Sequence, residues 1–443
     1  MKSYFILSMC LLFLTYYFLN FNWLRYLVVI MAFISFSVCI IRAQGFPRIL
    51  AIGMMGSGIA LEIGQGGGIE AIVDGILFVL PLLCILTLAP LLSLPLKIGG
   101  YFKALDSFLG NMLHNPKVFF AGITVTLFIL SPILNLGSVR LIDEFLSNLK
   151  LPSAISSKLY LVGFSTAMFW SPYFTSVTMV LYYLELPVGK YIFFGVSLSL
   201  LSLLLGNILL VAWEEKHPLN IISINMSPLE SWEKNRLVML SLYVSCLLFT
   251  PLLIEYFTEW SMIVIVSLIS IFLPLLWGTF TREWIQLSPH WNAFRNQTVP
   301  MMNNEIILFT SAGLFGHAVQ DTSFSHLITG FLNTVAHHSF LLFAVSVMGI
   351  VITVTYVGIH PIAVVAALAM QLEPNELGIS SIALAILLLL AWSLSVLLSP
   401  FSGINLLVSK MVGRSGVEVG LLSNGFYVTL VATLGIVMFL FLS

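Results

Sequence analysis

Long apolar runs, each ended by a few polar residues, set the pattern of the chain. In the first half they lie at about 4–20, 24–41, 48–63, 71–96, 118–134 and 191–212. Runs of this length predict helices that cross a bilayer. The second half continues at about 237–256, 259–278, 305–320, 324–335, 339–357, 360–371 and 417–442. Residues 97–117 carry Lys97, Lys103, Asp106, His114 and Lys117, which predicts an amphipathic helix at the interface. Stretch 135–150 mixes charges with apolar residues and is predicted at or near the same boundary. Residues 213–236 form the most polar internal stretch and predict a linker between halves 1–212 and 237–443. A second polar segment, 281–304, holds Arg282, Glu283, His290 and Arg295. Gly64-Gln65-Gly66-Gly67-Gly68 is too glycine-dense for a helix and lacks the lysine of a phosphate loop, so it reads as a turn.

Two further apolar runs are interrupted from within. Ser171-Pro172-Tyr173-Phe174-Thr175-Ser176 sits inside 158–184, and Ser399-Pro400-Phe401-Ser402-Gly403 inside 382–412. A proline in mid-membrane removes a backbone donor and clashes with the preceding turn, while serine before proline favours starting a new helix. Each segment is therefore predicted as a broken or re-entrant hairpin with a helix N-terminus inside the bilayer. The alternative is a proline kink in a continuous, well-packed helix. The two Ser-Pro pairs lie 228 residues apart, from 171 to 399, in a chain of 443. Ile155-Ser156-Ser157 precedes the first and Ile379-Ser380-Ser381 the second. Asn135-Leu136-Gly137-Ser138 and Tyr356-Val357-Gly358-Ile359 stand in comparable places upstream. Paired interruptions in matching positions predict two inverted-repeat halves.

Composition agrees with the pattern. Hydrophobic residues make up 59% and charged residues 8%, with a mean hydropathy of +1.05. The expected fold is an all-α polytopic membrane protein with about 10–12 transmembrane segments. A formal net charge of −1 offers no footprint for nucleic acid. Cys10, Cys39, Cys84 and Cys246 lie singly in apolar runs and read as small hydrophobes rather than ligands or disulfide partners. The run behind Lys2 reads as a retained first span or signal anchor.

Candidate chemistry clusters at the interruptions. The hydroxyls of Ser171 and Ser399, with the first free amides after Pro172 and Pro400, can point at one small polar or anionic solute. Thr175, Ser176, Ser402 and Asn405 can add ligands, and Tyr173 and Phe401 can wall the site. For each of these side chains helix packing or local capping is an equal alternative. Unwound backbone at Asn135, Gly137, Ser138 and Gly358 is permissive for cation binding. Ionisable groups in apolar runs, namely Glu62, Asp74, His317, Asp321 and His360, are functional candidates, and His317, Asp321 and His360 are those assigned to ion coupling. His317 and Asp321, four residues apart, share a helix face and form either a proton relay or a locally satisfied pair at a helix end. No second pair of ligands accompanies them, which argues against a metal site. His360 precedes Pro361 beside Gly358 in a place suited to lining a cavity, and His337-His338 are expected in an interfacial loop.

These features resemble the ion transporter superfamily, which includes divalent anion:sodium symporters, citrate–metal symporters, arsenite permeases and the large membrane subunit of TRAP transporters. The resemblance rests on the two Ser-Pro segments, and on Glu305-Ile306-Ile307-Leu308-Phe309 leading into Ser311-Ala312-Gly313-Leu314-Phe315-Gly316. It runs from about residue 45 to the end. It implies a dimerising scaffold and an elevator-like transport domain with two re-entrant hairpins. The sodium–dicarboxylate branch carries Ser-Asn-Thr tips where this chain reads Ser171-Pro172-Tyr173 and Ser399-Pro400-Phe401. The implied function is a secondary carrier coupled to Na⁺ or H⁺, without other cofactors. It would act as a homodimer in the plasma (inner) membrane, with the lipid bilayer and a small solute as partners and no nucleic acid. A membrane-embedded enzyme, such as a glycan polymerase or acyltransferase, is the alternative. Against it, the two longest polar loops hold no acid–base or nucleophile constellation.

Overall fold

The computed structural model describes residues 2–443 except Gln44, Asn148, Lys150, residues 220–227, Glu283 and Asp321. Among the described residues every regular element is helical, and nine helices are long and apolar enough to cross a membrane. The protein is an all-α polytopic membrane protein.

Four helices open the chain: α1 (Lys2–Leu19), α2 (Asn22–Ile40), α3 (Phe46–Gly64) and α4 (Gly68–Leu88). Short turns of helix carry α4 on to Ile98, and α5 (Tyr101–Gly110) is the expected amphipathic helix. Then come α6 (Pro116–Leu134), α7 (Leu136–Ser147), α8 (Ser153–Ala167), α9 (Thr175–Tyr183) and α10 (Val188–Lys216). The middle of the chain supplies α11 (Ser231–Thr258), α12 (Met262–Thr281) and α13 (Asn303–Val319). Finally α14 (Ser323–His338), α15 (Phe340–Tyr356), α16 (Pro361–Gln371), α17 (Ser381–Leu398), α18 (Gly403–Val412) and α19 (Ser423–Leu442) complete it. The order amphipathic helix, helix with a short return arm, broken helix, long helix occurs twice, as α5–α10 and as α14–α19.

Three readings shift. The polar stretch 213–236 is helical at both ends, in α10 and α11, and its centre lies outside the described residues. The segment 281–304, for which polarity alone set no secondary structure, is largely helical, with Trp284–Ala293 followed by a π turn at Phe294–Thr298. His337 and His338 close α14 rather than occupying a loop.

The fourth difference matters most. Residues 136–147 form a helix that doubles back: α7 folds onto α6, so that Phe119 near the start of α6 meets Phe145 near the end of α7 at 6.4 Å, and the exposed Arg140 and Glu144 lie along it. Asn135 makes the reversal with φ 50°. The charge of Asp143, which suggested an interfacial position, is met by the Tyr160 hydroxyl of α8, donating at 2.8 Å.

Helix α5 is tied to the start of α11. Ser107 Oγ donates to Glu233 Oε1 at 2.6 Å, and Arg236 lies over the Tyr101 ring at 5.6 Å. On the same helix, burial and the nearby Glu144 carboxylate push Asp106 up to about 6. The fold thus favours the protonated acid. Its stabilising contribution is complete below the ordinary value of 3.8 and is lost as pH rises through about 6. Asp106→Asn is therefore expected to melt higher than the parent at pH 7.5 and to match it near pH 4. The difference should be about 1 kcal/mol, well below the unscreened value because the side chain is half-exposed. Equal melting curves at both pH values would refute this.

Candidate functional site

Helix length locates the site. A helix rises about 1.5 Å per residue and the hydrocarbon core is about 30 Å thick. With 12, 9, 11 and 10 residues, α7, α9, α16 and α18 reach only about half that depth. Their starting ends lie at Asn135, at 168–174, at 357–360 and at 399–402, and none of the four helices is long enough to cross a bilayer alone.

The halves interlock there. Arm α7 of the first half packs on α18 of the second, and α16 of the second packs on α9 of the first. The second break touches both return turns. Phe401 lies against Gly358, and the first turn of α18 at Gly403 faces Leu136. Ser399 Oγ donates to the Thr355 carbonyl at 2.8 Å and accepts the Phe401 amide at 3.3 Å. Gly358 has φ +106°, a conformation that side chains other than glycine's rarely adopt, and this permits the tight passage from α15 to α16.

Each break leaves the last carbonyls of a helix without partners, and the long helix of the same half approaches to meet them. In the second half Ser402 Oγ donates to Val396 O at 2.6 Å and Asn405 Nδ2 to Leu397 O at 3.2 Å. Gly420, in the π turn Glu418–Leu422 that leads into α19, comes directly against Leu397 O. In the first half Ser199 donates to Thr166 O, and the Tyr191 hydroxyl donates to Phe169 O at 2.6 Å. There Gly195 makes the same close approach to Phe169 O.

The candidate residues divide accordingly. Ser171 is fully buried and its Oγ accepts the Tyr173 amide at 3.3 Å. Tyr173 turns away, donating to Leu247 O of α11 at 2.6 Å, so it anchors the break rather than walling it. Tyr173→Phe should cost about 1 kcal/mol of stability. Thermal shifts caused by added solutes should be unchanged in that variant, and their loss would return Tyr173 to the site. Phe401 is 62% exposed over Gly358 and keeps the wall position. Pro172 is buried and Pro400 packs on Gly416. Ser402 and Asn405 are engaged as caps. Ser138 Oγ donates to Asn135 O at 2.7 Å and receives Ser131 Oγ at 2.8 Å, while Gly137 is exposed. His360 Nδ1 accepts the Ile362 amide at 3.3 Å, capping α16.

Several buried polar atoms at the breaks have no partner among the described residues: Trp170 Nε1, Ser176 Oγ, Thr355 Oγ1 and Ser393 Oγ. Buried polar groups are normally satisfied, so these invite a solute or water. Ser176 was a sequence candidate; Trp170 and Thr355 were not, although each stands within three residues of a marked break. Lys158, a lysine within an apolar run, also escaped notice. It donates to the Ser423 carbonyl, where the π turn hands over to α19.

The ionisable candidates separate as well. Asp74 is paired with Arg25 of α2, which also reaches Glu70. Asp321 lies outside the described residues. His317 is bonded to a different helix, with Nδ1 2.7 Å from Glu62 Oε1 of α3. At the opposite end of α9, a cavity of about 480 Å³ is lined by Thr178, Tyr182, Glu185, Glu259 and Trp260. Glu255 at its edge accepts the amides of Val188 and Gly189 and so caps α10.

Two sets of helices, each with a short arm and a broken helix that contacts the other set, make up a multi-pass all-α membrane protein. No protein-family profile matches the chain, and no curated protein matches it. A solved structure does. The crystal structure of the Alcanivorax borkumensis YdaH transporter, described as having an unusual topology, superposes with a TM-score of 0.59 at 12% identity. The match covers 84% of this chain and 87% of that one. The two share a fold.

Proposed function

We propose that the protein is a secondary active transporter that moves a small anionic or polar solute, coupled to Na⁺ or H⁺, by an elevator-type displacement. The observation that carries this reading is the convergence of the second break on both return turns, together with buried Ser176 and Thr355 hydroxyls that have no partner among the described residues. Half-length helices turn the positive ends of their dipoles toward an anionic solute, and the exposed Phe401 ring suits a cover that moves. The fold shared with a protein described as a transporter adds weight.

An elevator divides the molecule into a frame and a moving part. Helices α3, α4, α12 and α13 suit the frame, and the return arms with the broken helices suit the moving part. Where α9 and α16 meet α4 and α13, the lining is almost wholly apolar: Val79, Leu82, Met179, Phe309, Ile362 and Met370 surround a void of about 10 Å³. A contact with so few fixed hydrogen bonds can slide. A homodimer in the plasma membrane belongs to the same reading.

The test is a melting screen of purified full-length protein against small carboxylates, oxyanions and amino acids, with and without Na⁺. A ligand of the folded state raises the melting temperature by mass action. A solute-specific rise is expected. No rise with any solute, together with no uptake in proteoliposomes, would sink the carrier reading and bring forward the membrane enzyme.

A further inference from the structure

We propose that Glu62 and His317 form the proton-binding site of this carrier, and that the state of the pair biases the position of α16. The inference rests on the transporter reading and settles on H⁺ among the coupling ions.

The pair spans 255 residues of sequence and joins two frame helices, α3 and α13. Glu62 is 4% exposed, and the His317 side chain keeps 29% of its surface open. The pair is therefore closed on the carboxylate side and reachable on the imidazole side. Small residues bring the surrounding chain onto it. Gly75 of α4 passes so close that a Cβ there would lie 3.3 Å from His317 Cβ. The glycine-rich turn 64–68, which carries no phosphate chemistry, has a purpose here. A Cβ on Gly67 would lie 3.1 Å from Glu62 Oε2, the Gly67 amide bonds to Glu62 O, and Gln65 Nε2 donates to Ala318 O at 3.2 Å. The turn roofs the carboxylate and is clipped to α13 beside His317.

The proton balance is simple. With Nδ1–H donated to Glu62, Nε2 is the open position. Its lone pair takes one proton to give imidazolium beside carboxylate, a pair with no net charge. Loss of that proton leaves carboxylate beside neutral imidazole, a net charge of −1. An uncompensated charge among apolar helices is far costlier than a closed ion pair. The protonated pair therefore tolerates a dry, closed interface, and the deprotonated pair calls for water.

That difference reaches the moving part through the neighbouring residue. Gly316 packs on Met370 Sδ near the end of α16. The other charged or titratable groups on the helices packed against α13 are accounted for. Arg25 of α2 holds Glu70 and Asp74 of α4, and Tyr26 of α2 donates to Glu70. Arg48 stands at the other end of α3, Cys39 and Cys84 are remote thiols, and α16 has no titratable residue.

The experiment uses the full chain in phosphatidylethanolamine–phosphatidylglycerol vesicles. Infrared difference spectra between pH 5 and 8 should contain imidazole and carboxylate bands that disappear in Glu62→Gln and in His317→Gln. In a second readout, Val357→Cys in a Cys246→Ser background is labelled with a membrane-impermeant maleimide, with rates normalised to the denatured protein. The rate should differ by about threefold or more between pH 5.5 and 8, and His317→Gln should abolish the difference. The proposal is overturned if both variants keep every band of the parent, or if labelling of the parent is independent of pH. The parent's labelling rates decide even if a variant fails to fold. Failure of the transporter reading would look different, with the titration intact but no solute response in the melting screen.

Discussion

Gly420→Ala is expected to destabilise the protein strongly through a single added methyl. A Cβ at that position would stand 2.5 Å from Leu397 O and 2.6 Å from Asn405 Nδ2. The first obstacle is backbone, held by the end of α17, and the second is the amide that caps the same carbonyl. Neither can retreat without opening the break, so the π turn and α17 must separate. Overpacking of this kind costs about 2–3 kcal/mol, read as a fall of a few degrees in melting temperature. Gly425→Ala is the control, since a methyl there meets only Leu421 Cδ1 at an ordinary 3.7 Å. If the two variants melt alike, the packing of the π turn against the break is wrong. Gly195→Ala should echo the effect in the first half, where Phe169 O lies 2.7 Å from the added atom.

The second large effect is expected at Ser399. Its hydroxyl ties the second break to Thr355 O in the last turn of α15, and it also holds the Phe401 amide. Ser399→Ala removes both bonds and frees Phe401 to leave its place over Gly358. The variant should fold and insert, because α17 and α18 stay capped by Ser402 and Asn405. Its response to a stabilising solute should fall by about tenfold in apparent affinity, the loss of roughly 1.4 kcal/mol. Ser171→Ala should act more weakly, since Ser171 Oγ holds only the Tyr173 amide. Unchanged solute affinity in both variants would remove the breaks from the binding site.

Much of the architecture was legible in the residues because a bilayer demands long apolar helices and punishes interruptions. The runs at 4–20, 24–41, 48–63 and 118–134 fall within two residues of α1, α2, α3 and α6. The Ser-Pro pairs mark the breaks because proline and serine act on their own local backbone, so no distant partner is needed to see them. That α7 folds back on α6 was hidden for the opposite reason. Its charges signal water until the hydroxyl of Tyr160 is known to meet Asp143. Long-range pairing hid the Glu62–His317 bond too. His317 could be matched by spacing only with Asp321, four residues away, whereas its described partner sits on another helix. Among the candidate site residues, type alone could not separate caps from free groups. Ser402 and Asn405 carry the same chemistry as Ser176, and only the location of nearby carbonyls tells which hydroxyl or amide is already spent.

The interlock of α7 with α18, and of α9 with α16, has a consequence for how the chain is made. Translation proceeds at about 5–20 residues per second, so the first break emerges on the order of 10–45 s before the second, 228 residues later. Throughout that interval α7 and α9 are half-length helices that lack the partners the second half supplies, α18 for one and α16 for the other. The insertion machinery or a chaperone must shelter them, or they must wait at the membrane surface. An N-terminal half made alone should therefore be unstable and quickly degraded, and a separately made C-terminal half supplied in the same cell should rescue it.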